Sequence, residues 1–178
     1  MHAITGGSFS GKTTTIEFLR DMGHSVLPES AIWIIDSLND LYGVEKQISW
    51  RTKNMREFQR LVAIADRLRL QIALGRGKNA SIFWDRGVQD GLAYCKIRKV
   101  KPPLELVALS KEVYYKKVFV LDTLTKFDMR RGTGRQSNRK LSVEIGAMLV
   151  QVYQKYADEV IVVPEMPVRK RIDFILSH

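Results

Sequence analysis

Gly6, Gly7, Ser8, Phe9, Ser10, Gly11, Lys12 and Thr13 spell G-x-x-x-x-G-K-T close to the start of the chain. This residue order suits the wrapping of a polyphosphate by backbone N–H groups, because a side chain larger than glycine at the crowded positions would block close approach. Lys12 places a point charge where β- and γ-phosphates would lie, and the Thr13 hydroxyl suits a Mg²⁺ ion that accompanies them. Gly6 to Thr14 are therefore the candidate cofactor-binding residues, with ATP or another nucleoside triphosphate plus Mg²⁺ as the implied cofactors. The pattern requires a strand before it and a helix after it. Ala3-Ile4-Thr5 supplies an apolar run, and Ile16, Leu19 and Met22 follow at helical spacing, so the positive end of a helix dipole faces the phosphates. A glycine turn arising by chance would lack that context.

Two further places carry chemistry. The run Ser81-Ile82-Phe83-Trp84-Asp85-Arg86-Gly87 reads as a short buried strand delivering Asp85 and Arg86 to the edge that holds the phosphate loop. A carboxylate there can serve Mg²⁺ or accept a proton from an attacking hydroxyl, and an arginine can steady a phosphoryl group in transfer. Alternatively the two residues cap the next helix and pair with each other. Glu29 follows the strand-like His24-Ser25-Val26-Leu27 and Pro28, either as a third charged group at the same sheet edge or as a residue that favours the start of the next helix. Between 123 and 140 the apolar period disappears, and Arg130, Arg131 and Arg135 alternate with Gly132 and Gly134. This predicts a basic lid, with the arginines closing over the phosphates. The alternative is an exposed basic loop or a nucleic-acid contact.

The elements that must position these residues follow from periodicity. Helices are predicted over about 12–22, ending at Gly23, and over 30–42, 52–75, 89–99, 104–114 and 141–157, with a short closing helix bearing Ile172, Ile175 and Leu176. Strands are predicted at 3–5, 24–27, 81–85, 118–121 and 160–163. Residues 43–50 read as a polar connection and 75–79 as a turn, while Asp122 reads as a turn residue that ends its strand. Alternation of five strands with helices predicts an α/β protein, a three-layer fold around a five-stranded parallel sheet. The expected organisation is one domain over 1–178 with the lid inserted.

Composition narrows the partners. The single cysteine, Cys95, rules out an internal disulfide and any cysteine-based zinc site, and reads as a small buried hydrophobe. His2, His24 and His178 show no metal-ligand spacing. No apolar run approaches the length of about 18 residues that spans a membrane, and the first strand begins too early to leave room for a leader, so a cytoplasmic protein with no membrane partner is expected. The net charge of +10 suits an anionic partner, nucleic acid included, although a nucleotide enzyme with surplus surface lysine fits equally.

Gly6 to Thr13, Pro28-Glu29, Phe83-Trp84-Asp85-Arg86-Gly87 with Asp90-Gly91-Leu92-Ala93-Tyr94, and the ending Arg171-Ile172-Asp173-Phe174-Ile175-Leu176 resemble the AAA-like ATPase/kinase domain family. Its relatives include the nicotinamide riboside kinase domain of NadR-type proteins and, more distantly, thymidylate and deoxynucleoside kinases. The resemblance implies catalytic roles for Lys12, Asp85, Arg86, Glu29 and Arg135, phosphate contacts from Arg131 and Arg135, and metal contacts from Thr13, Asp85 and Glu29. Asp90 and Tyr94 would lie toward an acceptor. The lid departs from the family pattern, since Arg131-Gly132-Thr133-Gly134 precedes Arg135 where relatives carry an acidic residue and glycine. The implied activity is transfer of a γ-phosphoryl group to a small hydroxyl-bearing acceptor. The alternatives are a kinase of nucleic-acid ends and a nucleotide-dependent switch.

Overall fold

The structure, a computed structural model, describes residues 1–75, 81–125 and 139–178. Strands that are apolar on both faces must be covered on both, and these are. In β1 (His2–Gly6) Ala3 faces one core and Ile4 the other; in β3 (Ile82–Asp85) Ile82 and Trp84 share the side of Ala3 while Phe83 joins Ile4. The alternation repeats in β4 (Tyr115–Leu121), where Val118 and Val120 oppose Phe119 and Leu121. With β2 (Ser25–Leu27) and β5 (Ala157–Val163) these strands form one parallel sheet in the order β2-β3-β1-β4-β5. One face is covered by α1 (Lys12–Asp21) and α8 (Val168–Ser177), through Ile16, Leu19, Ile172 and Ile175. The other carries α4 (Met55–Gly75), α5 (Asp90–Ile97), α6 (Leu104–Glu112) and α7 (Arg139–Tyr153). This is the three-layer α/β arrangement expected of a P-loop NTPase fold.

The strand order matters for the site. β1 lies between β3 and β4, with Ile4 opposite Asp85 and Gly6 opposite Leu121. The loop after β1 therefore emerges beside the end of β3 without an intervening strand, and the Arg86 N–H donates to the carbonyl of Ile4 at 3.0 Å. The aromatic residues of the larger core stack edge to face, Trp84 on Tyr115 and Tyr115 on Tyr153, at 6.0 and 5.9 Å between centroids. Cys95 is buried as expected, and burial pushes its thiol up to about 11.

After α2 (Ser30–Tyr42), residues 44–53 form a further helix, α3 (Val44–Lys53), where a polar connection was expected. Its apolar periodicity is weak because only Gln47 is buried, yet Glu45 in its first turn and Arg51 and Lys53 in its last match the helix dipole. Its inclusion moves the start of the next helix from 52 to Met55. β4 and β5 each begin three residues earlier than predicted; Lys116 and Lys117 broke the apolar run of β4, although Tyr115 before them is fully buried. Gly23 ends α1 in the left-handed conformation predicted for it, with φ +88°. The turn at 75–79, beyond Gly75 itself, and the greater part of the lid, with Arg130, Arg131 and Arg135, lie outside the described residues.

Candidate active site

The loop from Gly6 to Gly11 has no room for side chains at its base. A Cβ on Gly6, where φ is +147°, would stand 2.5 Å from the Leu121 carbonyl oxygen, and one on Gly7 would run into the backbone and hydroxyl of Ser142 at the start of α7. The Ser142 hydroxyl donates to the Ser8 carbonyl and lies 2.9 Å from the Thr123 hydroxyl, so α7 is seated directly on the loop. From the other face Arg171 of α8 braces it, Nη1 donating to the Ser10 carbonyl at 3.2 Å and to Thr15 Oγ1 at 3.3 Å. Ser8 and Phe9 are half-buried, whereas Thr13 and Thr14, in the first turn of α1, are exposed. The Lys12 amine donates to the carbonyls of Gly6 and Gly7 at 2.9 and 2.5 Å and to Ser10 Oγ at 3.2 Å. Its pKa is pushed down to about 7, first by burial and then by the Arg86 charge, against the pull of Glu29, Asp85 and Asp90.

Beside the loop lies a buried charge cluster. Arg86, the residue after β3, adopts φ +59°, a conformation disfavoured for an L side chain. Its guanidinium meets two carboxylates, Nε lying 2.9 Å from Glu29 and Nη1 2.8 Å from Asp90, and Nη1 also donates to the Gly6 carbonyl at 3.2 Å. Burial opposes the Arg86 charge, but Glu29, Tyr94 and Asp90 outweigh it and raise its pKa. Glu29 occupies the N-cap position of α2 without a capping hydrogen bond from its side chain. Asp85 is 8% exposed and pushed up to about 6, by burial first and by Glu29 second, with Arg86 and Lys12 acting in the opposite direction. Its Oδ1 is buried without a hydrogen-bond partner. Lys12, Glu29, Asp85 and Arg86 thus converge, as the sequence suggested, while the capping alternative for the Asp85-Arg86 pair does not describe the contacts: Arg86 pairs with Glu29 and Asp90.

Arg69, Asp66, Thr5 and Tyr153, which help to hold this cluster, went unnoticed in the sequence, whereas Asp90 was expected to lie toward an acceptor. Arg69 is buried under the site, donating from Nη2 to the carbonyls of Asp85 and Arg86 at 3.0 and 3.1 Å and from Nη1 to Asp66 at 2.6 Å, with its guanidinium carbon 4.6 Å from the Trp84 ring centroid. It clamps the strained turn at Arg86. Asp66 also accepts from Ser30 at 2.6 Å, and burial leads a net rise in its pKa despite those partners. Asp90 accepts three charged or hydroxyl donors, from Arg86, Thr5 at 2.6 Å and Tyr153 at 2.7 Å. In the sequence Arg69 sits among Arg60 and Arg67, both of which make partly exposed ion pairs, with Glu57 and Glu112. The available signal was its place on the apolar face of α4, next to Leu70 and three after Asp66.

A cleft of about 210 Å³ runs from Ser8 of the loop past Glu29, Arg86 and Asp90 into the space between α2, α3, α4 and α5. Ile35, Met55, Phe58, Val62 and Tyr94 give it apolar and aromatic walls, and Arg51 and Arg98 lie on its lining. The Arg51 guanidinium carbon is 5.6 Å from the Phe58 ring centroid and that of Arg86 5.7 Å from Tyr94. In the loop after β5, Glu165 accepts from the Thr125 N–H and hydroxyl.

The residues fit a Mg-nucleotide. Oδ1 of Asp85 is an orphaned buried oxygen, Thr13 supplies a hydroxyl at the helix N-terminus, and the glycine cradle excludes side chains. Among the described residues no group of three His, Cys, Asp or Glu side chains forms a metal site. Mg²⁺ needs none, since it takes one or two carboxylates and completes its shell with phosphate oxygens and water. Among the described residues no helix is long and apolar enough to cross a membrane. A family model described as AAA domain matches residues 1–171. No curated protein matches the chain.

Proposed function

The chain belongs to the AAA-domain family of P-loop NTPases, and from that premise and the layout of the site we propose that it is an ATP- and Mg²⁺-dependent phosphotransferase acting on a small hydroxyl-bearing acceptor, in the manner of nucleoside and nucleotide kinases. The observation that carries this reading is the cleft lined continuously from Ser8 of the loop to Glu29, Arg86 and the apolar walls beyond. A site built only to hydrolyse nucleotide or to switch needs no such compartment for a second substrate.

In this reading the chain acts as one domain, and the loop from Gly6 to Thr14 holds the triphosphate. Lys12 exchanges its loop carbonyls for β- and γ-phosphate oxygens, whose negative charge returns its pKa upward. Thr13, Asp85 and Glu29 are the residues that would hold Mg²⁺, which supplies neutralisation of phosphate charge. The acceptor hydroxyl attacks the γ-phosphorus as the bond to the bridging oxygen breaks and ADP departs. Whichever carboxylate of the Asp85–Glu29 pair does not hold the metal takes the hydroxyl proton. Arg86, fixed by Asp90 and Glu29, faces the transferring group, and Arg131 and Arg135 are the further residues we assign to charge stabilisation.

The test is a product screen with radiolabelled ATP, Mg²⁺ and pooled nucleosides, nucleotides, vitamins, sugars and short oligonucleotides with free ends. Label should move onto at least one pool, and Lys12→Ala should lower that transfer at least about a hundredfold. Label recovered only as free phosphate, unstimulated by any pool, would refute the phosphotransferase reading.

A further inference from the structure

The chain carries a net charge of +10, and part of the surplus lies in segments that line the cleft. Two basic segments contribute to its lining, 51–56 (RTKNMR) and 96–101 (KIRKVK). The first lines the cleft with Arg51, Thr52 and Met55, the second with Ile97, Arg98 and Val100. Together they carry seven lysines and arginines and no acid. The acids on the cleft lining are Glu29, Asp66 and Asp90, and each is held by a buried arginine: Glu29 and Asp90 by Arg86, Asp66 by Arg69. Among the described residues Lys53, Arg56, Arg98 and Lys99 enter no ion pair, whereas Arg60, Arg67 and Lys117 on other surfaces each have a glutamate.

Ordinary helix chemistry covers only part of this. Arg51 and Lys53 suit the last turn of α3, and Lys96 that of α5. Arg56 is in the first turn of α4, where the dipole disfavours a cation. Lys99 is less expected still. It follows the end of α5 with φ +53°, in a turn closed by the Lys99 N–H on Lys96 and the Val100 N–H on Cys95, a place where glycine or asparagine is favoured on steric grounds. The chain keeps a lysine there, beside the lining residue Arg98.

We propose that the acceptor carries a phosphate group separate from the hydroxyl that is phosphorylated. This rests on the phosphotransferase reading above. The hydroxyl end sits at Glu29 and Arg86, an aromatic or apolar body lies against Phe58 and Tyr94, and the existing phosphate reaches Arg51, Arg98 and the flanking lysines. A nucleoside 3′-phosphate has this chemistry, whether free or as the 5′-hydroxyl end of an oligonucleotide. The transfer balances as before: the acceptor oxygen gains the γ-phosphoryl group, its proton passes to a carboxylate, and ADP leaves, with the acceptor's own phosphate unchanged. A cationic pyridinium riboside would meet repulsion at the same rim.

Steady-state rates of phosphoryl transfer from ATP should be compared for nucleosides, the matching nucleoside 3′-monophosphates, 5′-hydroxyl oligonucleotides and nicotinamide riboside. The phosphate-bearing acceptors should exceed the neutral nucleosides at least about thirtyfold in kcat/KM, with a preference that shrinks as salt rises. Arg98→Ala and Lys99→Gly should each cut that preference at least about fivefold, mainly through KM. Lys99→Gly relieves the left-handed strain, so its melting temperature should be equal or higher, which separates lost recognition from lost folding. Activity confined to the oligonucleotides would support the proposal with a polymer as the source of the phosphate; activity on the free 3′-monophosphates would support it with a small molecule. Equal or better rates with neutral nucleosides or nicotinamide riboside, or variants that keep the full preference, would overturn the proposal and leave the phosphotransferase reading standing. Transfer to no acceptor in any arm would overturn both.

Discussion

Replacing Asp85 by asparagine should stabilise the nucleotide-free protein while removing its chemistry. Asp85 is 8% exposed, its Oδ1 has no hydrogen-bond partner, and Glu29 adds like charge, so its pKa rises from 3.8 to about 6. At 1.36 kcal/mol per pKa unit, holding this carboxylate ionised in the folded state costs about 3 kcal/mol. The neutral amide removes that cost but also removes a counter-charge from Lys12, so the net gain should be about 1–2 kcal/mol. For a chain of this length that corresponds to about 2–8 °C in melting temperature. The pH dependence carries the sign. A folded-state pKa raised above the unfolded value means that the contribution of Asp85 is fully present below about pH 4 and is lost as pH rises through about 6. The advantage of Asp85→Asn should therefore be small at pH 4, grow between pH 4 and 7, and level off above. Thermal unfolding followed by circular dichroism at several pH values, without nucleotide, measures it. With Mg²⁺ and ATP the order should reverse, because the wild-type carboxylate gains a cation that the amide cannot hold as well. A variant less stable than wild type at pH 8, or one whose advantage does not change with pH, would refute the assignment of Asp85 as an uncompensated buried carboxylate.

Two other substitutions probe the frame around it. Arg69→Met should cost about 3–5 kcal/mol at neutral pH, because Asp66 is left as a buried charge and the Asp85 and Arg86 carbonyls lose their donor; adding Asp66→Asn should recover part of the loss in chemical denaturation, and no recovery would show that the ion pair is not the source. Gly7→Ala forces a methyl group against Ser142 and should cost about 1–3 kcal/mol while abolishing the rise in melting temperature on adding Mg-ATP; a retained rise would show that the loop tolerates separation from α7.

The sequence was most informative where a function depends on neighbours in the chain. The loop from Gly6 to Thr13 could be read directly because a phosphate cradle is made of consecutive backbone N–H groups and the helix that follows them. The strands could be read because both faces are buried, which leaves continuous apolar runs such as Val118 to Leu121. Their ends could not, since in β4 the exposed Lys116 and half-buried Lys117 interrupt the apolar run before the buried Tyr115. The helix over 44–53 escaped for a related reason: with Gln47 alone buried it has almost no apolar stripe to betray it.

Sequence alone thus determined the fold class, the phosphate loop and the acids and arginine at the ends of two strands. Tertiary structure decided what those groups touch. Thr5 and Asp90 are 85 residues apart, Ser30 and Asp66 36, and Tyr153 and Asp90 63, yet each pair shares a hydrogen bond. No local pattern encodes such pairings, because they depend on which strand lies beside which and on the rotation of each helix about its axis. The order β2-β3-β1-β4-β5 set Arg86 against the Ile4 carbonyl, and the rotation of α4 turned Arg69 inward beneath the site while Arg60 and Arg67 turned out. Burial then fixed the chemistry, since the carboxylate that would be an ordinary acid in water has its pKa pushed up to about 6 away from solvent and beside Glu29.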